Sequence, residues 1–260
     1  MLLCLLLSLQ APAPLDIKKL ITIEPGSIPV IISAPHGGSL PLTGIPERKG
    51  GDDVAQFTTV RDINTDLLAK KLAAALESRL GGKPHVVIAH FSRKYIDANR
   101  PAKGAFESAG AKPLYDTYHA ALAKACKEVK EKHGSGLLID VHGQAVRSDA
   151  IFRGTQNGKT TTLLTQRFGK NALTGPNGFQ GMLEARGYTM LPPSQSDEKE
   201  TKFNGGYIVQ TYGSHTAYGI DAIQMEFGGQ YSGRNKLEKT TGDLADVIVE
   251  YLTRYVTTKK

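Results

Sequence analysis

Residues that can bind a metal ion or move a proton lie at the ends of several apolar stretches of this sequence. His36 falls near the end of "PVIISAPHGG", Asp140 and His142 near the end of "LLIDVHGQ", and Glu226 near the end of "DAIQMEFGG". Histidine and carboxylate side chains are common ligands of zinc, and a carboxylate beside the metal can act as a general base. These residue types favour hydrolysis by a metal-activated water.

A catalytic zinc site needs metal ligands and a general base, and these requirements suggest a role for each candidate residue. A catalytic zinc uses about three protein ligands and keeps one position for water. We assign His36 and His142 as two ligands, and Asp62 or Asp66, at the start of the next helical segment, as the third. Glu226 is the candidate general base, because a carboxylate within an apolar run is costly to bury without a partner. One Zn²⁺ ion is expected, although such a site also accepts other divalent metals.

A second set of polar residues follows the apolar run in "HVVIAHFSRKYIDANR". Arg100, together with Asn99, can hold a substrate carboxylate through paired hydrogen bonds, and Arg93 offers a further positive charge. We assign Arg100 to catalysis and binding, and Arg93 and Asn99 to substrate binding. His119, within "YDTYHAAL", either lines the same pocket or belongs to the core.

Strand geometry pairs some of these residues. Successive side chains of a strand point to opposite faces, so Asp140 shares a face with His142, and Gln224 shares one with Glu226. Asp140 can therefore orient the imidazole of His142. Gln224 joins the candidate substrate-binding residues.

Each residue taken alone also has a structural interpretation. A single histidine at a strand end is more often structural than catalytic. Asp62 suits a helix N-cap, and Asp66 suits a solvated helix face. Arg93 and Arg100 could form surface ion pairs. The recurrence of such residues at the ends of separate apolar runs favours the functional interpretation.

The apolar runs that position these residues are predicted strands, at Pro29–Ser33, His85–Ala89, Leu137–Val141 and Asp221–Phe227. Helical segments alternate with them: "DINTDLLAKKLAAALESRLGG", with Asp62 as its N-cap, "LYDTYHAALAKACKEVKEKHGSG" and "TTGDLADVIVEYLTRYV". This alternation predicts an α/β fold with a parallel or mixed sheet covered on both faces. Ligands of such sheets bind beyond the carboxyl ends of the strands, where the polar residues fall.

The region from Thr155 to Gly206 is less regular and rich in Gly, Pro, Ser, Asn and Gln. Short helices are predicted at Leu163–Phe168 and Gly181–Arg186. Long loops in a compact domain are often lids or walls of a site. No linker divides the chain, so residues 14–260 are predicted to form a single hydrolase domain.

The composition is that of an ordinary globular protein, with 260 residues, 40% hydrophobic and 22% charged. The net charge is +7, but the lysines and arginines are scattered, which argues against a nucleic-acid partner. A mild positive field suits a small anionic substrate. No stretch has the roughly 18 apolar residues of a membrane span. The oligomeric state is left open.

Residues 1–13, "MLLCLLLSLQAPA", are typical of a signal peptide, with an apolar core followed by small residues. We therefore expect export to the periplasm or the exterior; if this segment is not a signal, the protein is cytoplasmic. Cys126, in a predicted helix, is expected to be a small core residue.

These motifs resemble the N-formylglutamate amidohydrolase family. The matching pieces are "SAPHGG", "RDINTDLLA", "SRKYIDANR", "YDTYHAAL", "LLIDVHGQ" and "FNGGYIVQTYGSHTAYGIDAIQMEFGGQYSGR", in order between Ile28 and Arg234. The resemblance implies a three-layer α/β/α sandwich with a mixed sheet, phosphorylase/hydrolase-like and similar in fold to zinc carboxypeptidases. It also implies a zinc-dependent hydrolase of an amide bond beside a carboxylate, with N-formyl-L-glutamate as the default substrate.

The same resemblance implies roles for individual residues. His36 and His142 match the two histidine ligands, Glu226 matches the catalytic glutamate, and Asn99 with Arg100 matches a pair that binds the substrate carboxylate.

One position departs from the zinc carboxypeptidases, which carry a glutamate three residues after the first histidine. Ser39 stands there in this chain, so the third ligand must come from elsewhere, and we choose Asp62 over Asp66. The same centre would also suit a carboxypeptidase or an amidase of peptidoglycan fragments. A carboxylate-binding protein without catalysis is a third hypothesis, but it would need no general base such as Glu226.

Overall fold

The computed structural model describes residues 15–51 and 56–256. The predicted signal peptide, residues 1–13, lies outside this part of the chain. Within the described residues the strands are β1 (Ile21–Glu24), β2 (Val30–Ala34), β3 (His85–Ala89), β4 (Leu137–Gln144), β5 (Ile151–Gly154), β6 (Met190–Leu191) and β7 (Asp221–Gly228). The helices are α1 (Ile17–Leu20), α2 (Thr65–Leu80), α3 (Ala102–Ala105), α4 (Lys112–His133), α5 (Thr162–Phe168), α6 (Asn171–Thr174), α7 (Phe179–Glu184), α8 (Tyr207–Tyr212), α9 (Gly229–Ser232) and α10 (Leu237–Tyr251).

The strands form one mixed sheet in the order β1-β3-β2-β4-β7-β5-β6. The four central strands, β3, β2, β4 and β7, are parallel, whereas β1 pairs antiparallel with β3, and β5 pairs antiparallel with β7. The central strands are the four that the apolar runs predicted. β4 and β7 continue past their apolar runs because they pair with each other as far as Gln144 and Gly228. Their polar residues therefore lie within paired strands.

Helices cover both faces of the sheet and give two separate apolar layers. Leu72 of α2 and Ile248 of α10 pack with Ile139 and Ile223 on one face. α4 and α8 pack on the other face, where Leu122 is fully buried. Burial of each such side chain contributes roughly 1.5–3 kcal/mol. The three-layer α/β/α sandwich with a mixed sheet is thus confirmed.

Helix α2 begins later than the sequence predicted. Its N-cap is Asn64, in a left-handed conformation with φ 65° and no side-chain capping bond. The expectation that Asp62 caps this helix is wrong, because Oδ2 of Asp62 accepts a hydrogen bond from the backbone N–H of Gly143 on β4, at 3.1 Å. The helix ends as predicted at Gly81, whose φ of 66° suits glycine.

The irregular region contains the predicted short helices with small shifts. α5 starts one residue before the predicted Leu163–Phe168, and α7 starts two residues before the predicted Gly181–Arg186. Cys126 is buried in α4, as expected. None of the helices in the described part of the chain is both long and apolar enough to cross a membrane.

Candidate active site

A cavity of about 480 Å³ opens beyond the carboxyl ends of β2, β4 and β7. Eight of the residues selected from the sequence line it: His36, Asp62, Arg93, Asn99, Arg100, His142, Gln224 and Glu226. The topology explains this convergence, since β2, β4 and β7 are parallel neighbours whose ends meet at one edge of the sheet. The residues therefore form one site although they are far apart in sequence.

Two histidines and one aspartate meet at the floor of this cavity. The Nδ1 atoms of His36 and His142 are 3.1 Å apart. Oδ2 of Asp62 lies 3.2 Å from Nδ1 of His142 and 3.4 Å from Nδ1 of His36. All three residues are buried, with exposures of 1% for His36, 2% for His142 and 8% for Asp62. These three side chains can offer one ligand atom each to a single ion.

The opposite nitrogen of each imidazole contacts a buried carboxylate. Nε2 of His36 lies 2.7 Å from Oδ1 of Asp97, and Nε2 of His142 lies 2.9 Å from Oδ2 of Asp140. With the ring hydrogen on Nε2, each histidine donates to its carboxylate and turns the lone pair of Nδ1 towards the other. Two nitrogen lone pairs and a carboxylate oxygen then face one another. Such a donor set fits a divalent cation, and its supporting carboxylates are those that metal-binding histidines commonly have.

The alternative third ligand, Asp66, lies outside this group. It is the second residue of α2, where Oδ1 is 3.6 Å from Nη2 of Arg61. Asp62 is held in place by Gly143, as described above, and by its own N–H, which donates to the carbonyl oxygen of His36 at 3.1 Å. The geometry therefore brings Asp62, and not Asp66, to the two histidines.

Asp97 is a site residue to which the sequence analysis gave no role. Oδ2 of Asp97 accepts hydrogen bonds from Nε of Arg93 at 2.9 Å, and Oδ1 accepts one from the backbone N–H of Asn99 at 3.0 Å. Burial alone would raise the pKa of Asp97, but the charges of His36 and Arg93 hold this pKa well below its usual range. Asp97 is therefore an ionised acceptor for His36. The spacing Arg93-x-x-x-Asp97 within "SRKYIDANR" was the available signal.

Glu226 lies beside the two histidines on the neighbouring strand. It is in register with His142 across the parallel pair β4–β7, and it is 6% exposed. Nε2 of Gln224 donates to Oε1 of Glu226 at 2.8 Å. Burial raises the pKa of Glu226 to about 7. This carboxyl group can therefore exchange a proton near neutral pH.

Gln224 and Asn99 line the cavity, but their side-chain amides form hydrogen bonds within the protein. Oε1 of Gln224 accepts from the backbone N–H of Gly206 at 2.6 Å, while its nitrogen holds Glu226. Oδ1 of Asn99 accepts from the N–H of Ile208 at 2.8 Å, at the start of α8. The sequence assigned both residues to substrate binding; the structure gives them positioning contacts.

The two arginines differ in their exposure to the cavity. Nε and Nη2 of Arg93 both lie within 2.9 Å of Asp97, and the side chain is 12% exposed. Arg100 is 25% exposed, with Nη2 donating to the carbonyl oxygen of Gln56 at 3.1 Å and Nε 3.9 Å from Asp97. Arg100 is therefore the better placed of the two to meet a soluble anion.

The sequence left open whether His119 lines the pocket and binds substrate or belongs to the core, and in the structure His119 does not line the cavity. Nε2 of His119 lies 3.0 Å from the carbonyl oxygen of Ala98, and Nδ1 lies 3.0 Å from the hydroxyl group of Tyr212. Its ring packs edge-on against Tyr207, with centroids 5.4 Å apart, and Tyr207 does line the cavity. Both ring nitrogens are used within the wall, so His119 supports Tyr207 from behind.

Part of the irregular region forms a wall of the cavity, as the sequence predicted. Residues 201–206 all line it, followed by Tyr207 and Gln210. The motif "FNGGY" reflects close packing there, because a Cβ atom on Gly206 would lie 2.3 Å from Nδ2 of Asn99. Lys202, in this wall, is a cation that the sequence analysis did not select.

Comparisons with known proteins agree with this picture. A family model described as N-formylglutamate amidohydrolase matches residues 108–231, a segment that includes His142, Gln224 and Glu226. The resemblance seen in the motifs is confirmed over this segment, and it supports an enzyme that hydrolyses amide bonds. No curated protein sequence matches the chain.

Two solved structures share the fold. An N-formylglutamate amidohydrolase from Ralstonia eutropha has a TM-score of 0.62 and 16% identity, covering 90% of this chain and 99% of its own. A gene product of Agrobacterium tumefaciens has a TM-score of 0.60 and 14% identity, covering 90% of this chain and 94% of its own. At these identities the likeness is one of fold.

Proposed function

Proceeding from the resemblance to the N-formylglutamate amidohydrolase family, we propose that this chain is a metal-dependent amidohydrolase. It cleaves the amide bond of a small N-acyl amino acid, with N-formyl-L-glutamate, giving formate and glutamate, as the default substrate. The observation that carries the proposal is the meeting of His36, Asp62 and His142 at the floor of a cavity that also contains Glu226 and Arg100.

His36, Asp62 and His142 would hold one Zn²⁺ ion, or another divalent metal, through two Nδ1 atoms and a carboxylate oxygen. When bound, such a metal lowers the pKa of a water molecule and polarises a carbonyl group. Asp97 and Asp140 fix the two imidazole rings from behind, which keeps both Nδ1 atoms directed at the centre.

Glu226 is the group that moves protons in this proposal. Its carboxylate takes a proton from the attacking water and delivers it to the leaving nitrogen of the amide. A cation at the centre would favour the ionised form of Glu226, since an opposite charge nearby lowers the pKa of a carboxyl group. Gln224 holds Oε1, so the other carboxylate oxygen of Glu226 is the one left for the water.

Arg100 would bind the carboxylate of the acyl amino acid. Its guanidinium offers paired donors with the geometry of a carboxylate. Arg93 lies deeper and remains paired with Asp97, so it adds positive charge without having to leave its partner. This arrangement would place the substrate carboxylate at the cavity wall and the acyl carbonyl near Glu226.

The test combines metal analysis with a substrate panel. The purified protein is loaded with Zn²⁺, its metal content is measured, and release of product is followed with N-formyl-L-glutamate, other N-acyl amino acids, short peptides and peptidoglycan fragments. We expect about one metal per chain and the highest kcat/KM with an N-acyl amino acid. A preference for peptides or peptidoglycan fragments would replace the proposed substrate. Binding of carboxylates without any turnover would refute the enzyme.

A further inference from the structure

The cavity wall formed by residues 201–206, here called the wall segment, contains no helix or strand. It connects the region after β6 to helix α8 and contributes side chains and backbone along one side of the cavity. An irregular segment of this kind is expected to move unless other contacts hold it. Glu200, the residue immediately before the wall segment, supplies such contacts.

Glu200 is a buried carboxylate that accepts four hydrogen bonds. Its Oε1 accepts from Nε of Arg153 at 2.6 Å and from Oγ1 of Thr155 at 2.6 Å. Its Oε2 accepts from the backbone N–H groups of Thr155 at 2.7 Å and Asn157 at 2.8 Å. In return, Oδ1 of Asn157 accepts from the N–H of Glu200 at 2.9 Å. One carboxylate thus fastens the start of the wall segment to β5 and the turn after it.

Backbone bonds fasten the rest of the wall segment to the same region. The N–H of Gln156 donates to the carbonyl oxygen of Asn204 at 2.6 Å. At the far end, Gly206 donates to Gln224, the residue that also holds Glu226. The wall segment is therefore held at its start, middle and end, and its end contacts the proposed general base through one residue.

Only a carboxylate satisfies the environment of Glu200. Four donors converge on two oxygen atoms, so each oxygen must accept two hydrogen bonds. An amide in the same place would direct its NH₂ group at the guanidinium of Arg153 in one orientation and at two backbone N–H groups in the other. Arg153 is itself 7% exposed, and removal of the negative charge would leave a buried guanidinium without its counter-charge.

We propose that Glu200 is a positioning residue that sets substrate affinity by holding the wall segment in its binding conformation. Glu200 does not line the cavity and does not touch the substrate; it acts through residues 201–206. The inference rests on the proposed function for the identity of the ligand. If Glu200 has this role, the wall segment is a fixed wall of the cavity and not a lid.

The test compares Glu200→Gln with a matched control, Glu184→Gln. Glu184 holds the same connection at its other end, where its carboxylate accepts from the N–H of Ser194 at 2.8 Å and from the hydroxyl group of Ser194. It lies outside the cavity lining. Both changes remove one charge from a carboxylate that anchors the region between α7 and α8. Amide hydrogen exchange of residues 201–206 and steady-state kinetics are measured for the zinc-loaded proteins.

In Glu200→Gln we expect exchange of the wall segment to rise about tenfold and KM to rise about tenfold, the order of magnitude for loss of one hydrogen bond to a buried charge. The value of kcat should change less than about threefold, because uniform binding is lost and not a contact of the transition state. Glu184→Gln should leave exchange of residues 201–206 and KM within about twofold of the unaltered protein, since it leaves the bonds of Glu200 intact.

Unchanged exchange and KM in Glu200→Gln would overturn the inference, as would an equal rise of KM in Glu184→Gln. If no substrate is cleaved by the unaltered protein, the proposed function fails, but the exchange comparison and the Kd of N-formyl-L-glutamate from calorimetry still decide the role of Glu200.

If Glu200→Gln does not fold, Asn157→Gly replaces it. Asn157 has a φ of 56°, which glycine adopts readily, so this change removes only the acceptor for the N–H of Glu200. A smaller rise of exchange and KM is expected, and no rise in either would overturn the inference.

Discussion

Replacement of the proposed general base is the most direct perturbation of this site. Glu226→Gln keeps the size and shape of the side chain, and the amide oxygen can still accept the hydrogen bond that Gln224 gives to Oε1. Glu226 is not one of the three residues whose ligand atoms converge. We therefore expect the variant to fold and to bind Zn²⁺ as well as the unaltered protein, while it loses the ability to accept a proton from water.

The expected loss of activity follows from the role of Glu226 as a general base. A positioned general base contributes roughly 10²–10⁴-fold to the rate, which corresponds to about 2.7–5.5 kcal/mol of activation free energy. The loss should appear in kcat, since the cavity wall and Arg100 are untouched and substrate binding should persist. His142→Ala, in contrast, should lose both the metal and the activity, because it removes one of the converging Nδ1 atoms.

The assay follows product release at saturating N-acyl amino acid and measures bound zinc in the same samples. Glu184→Gln serves as a control for an equivalent change outside the cavity and should keep full kcat. Full activity of Glu226→Gln on a substrate that the protein cleaves would refute the assignment of the base. Loss of zinc together with activity would show instead that Glu226 is a metal ligand.

Three further predictions concern other residues. Asp97→Asn should weaken zinc binding about 10–100-fold, measured by competition with a chelator, because His36 loses its charged acceptor; unchanged affinity would contradict this. Arg100→Lys should raise KM for an anionic substrate with kcat little altered, since lysine cannot form paired bonds to a carboxylate; an unchanged KM would contradict the assignment. Burial raises the pKa of Asp221 to about 6, so its contribution to stability is present at low pH and is lost as pH rises from about 4 to 6. Urea unfolding should show Asp221→Asn free of that decline, which is about 3 kcal/mol at most; parallel pH profiles would contradict it.

The sequence predicted the central strands because each is a short apolar run that the sheet buries on both faces. For the strand that leads to His142, the predicted end at Val141 came three residues before the end of β4 at Gln144, since polar residues ordinarily mark the end of a buried strand. The pairing of β4 with β7 continues there because each polar side chain finds a buried partner, such as Nε2 of His142 with Asp140. Those partners come from distant segments and are not visible in a local pattern.

The choice between Asp62 and Asp66 also depended on a contact with a distant segment, which a local pattern does not show. Both residues lie near the start of one helical segment, and an aspartate in this position is a common N-cap. The difference is the backbone N–H of Gly143, which lies on another strand and holds Oδ2 of Asp62 beside His142. Local propensity could not show this bond. The position of His119 was left open for a similar reason, since its partners Ala98 and Tyr212 belong to separate segments.

The buried charges around the histidines explain why these residues occur together. Four carboxylates and three guanidiniums surround the two imidazoles: Asp62, Asp97, Asp140 and Glu226, with Arg48, Arg93 and Arg100. The guanidiniums gather at Asp97, which Arg93 contacts directly. Asp140, in contrast, is fully buried, and its Oδ1 has no hydrogen-bond partner among the described residues. A buried carboxylate with an unpaired oxygen is costly unless positive charge lies nearby. A cation held by His142 would supply that charge through the imidazole, so the pair Asp140-x-His142 makes physical sense as half of a metal site.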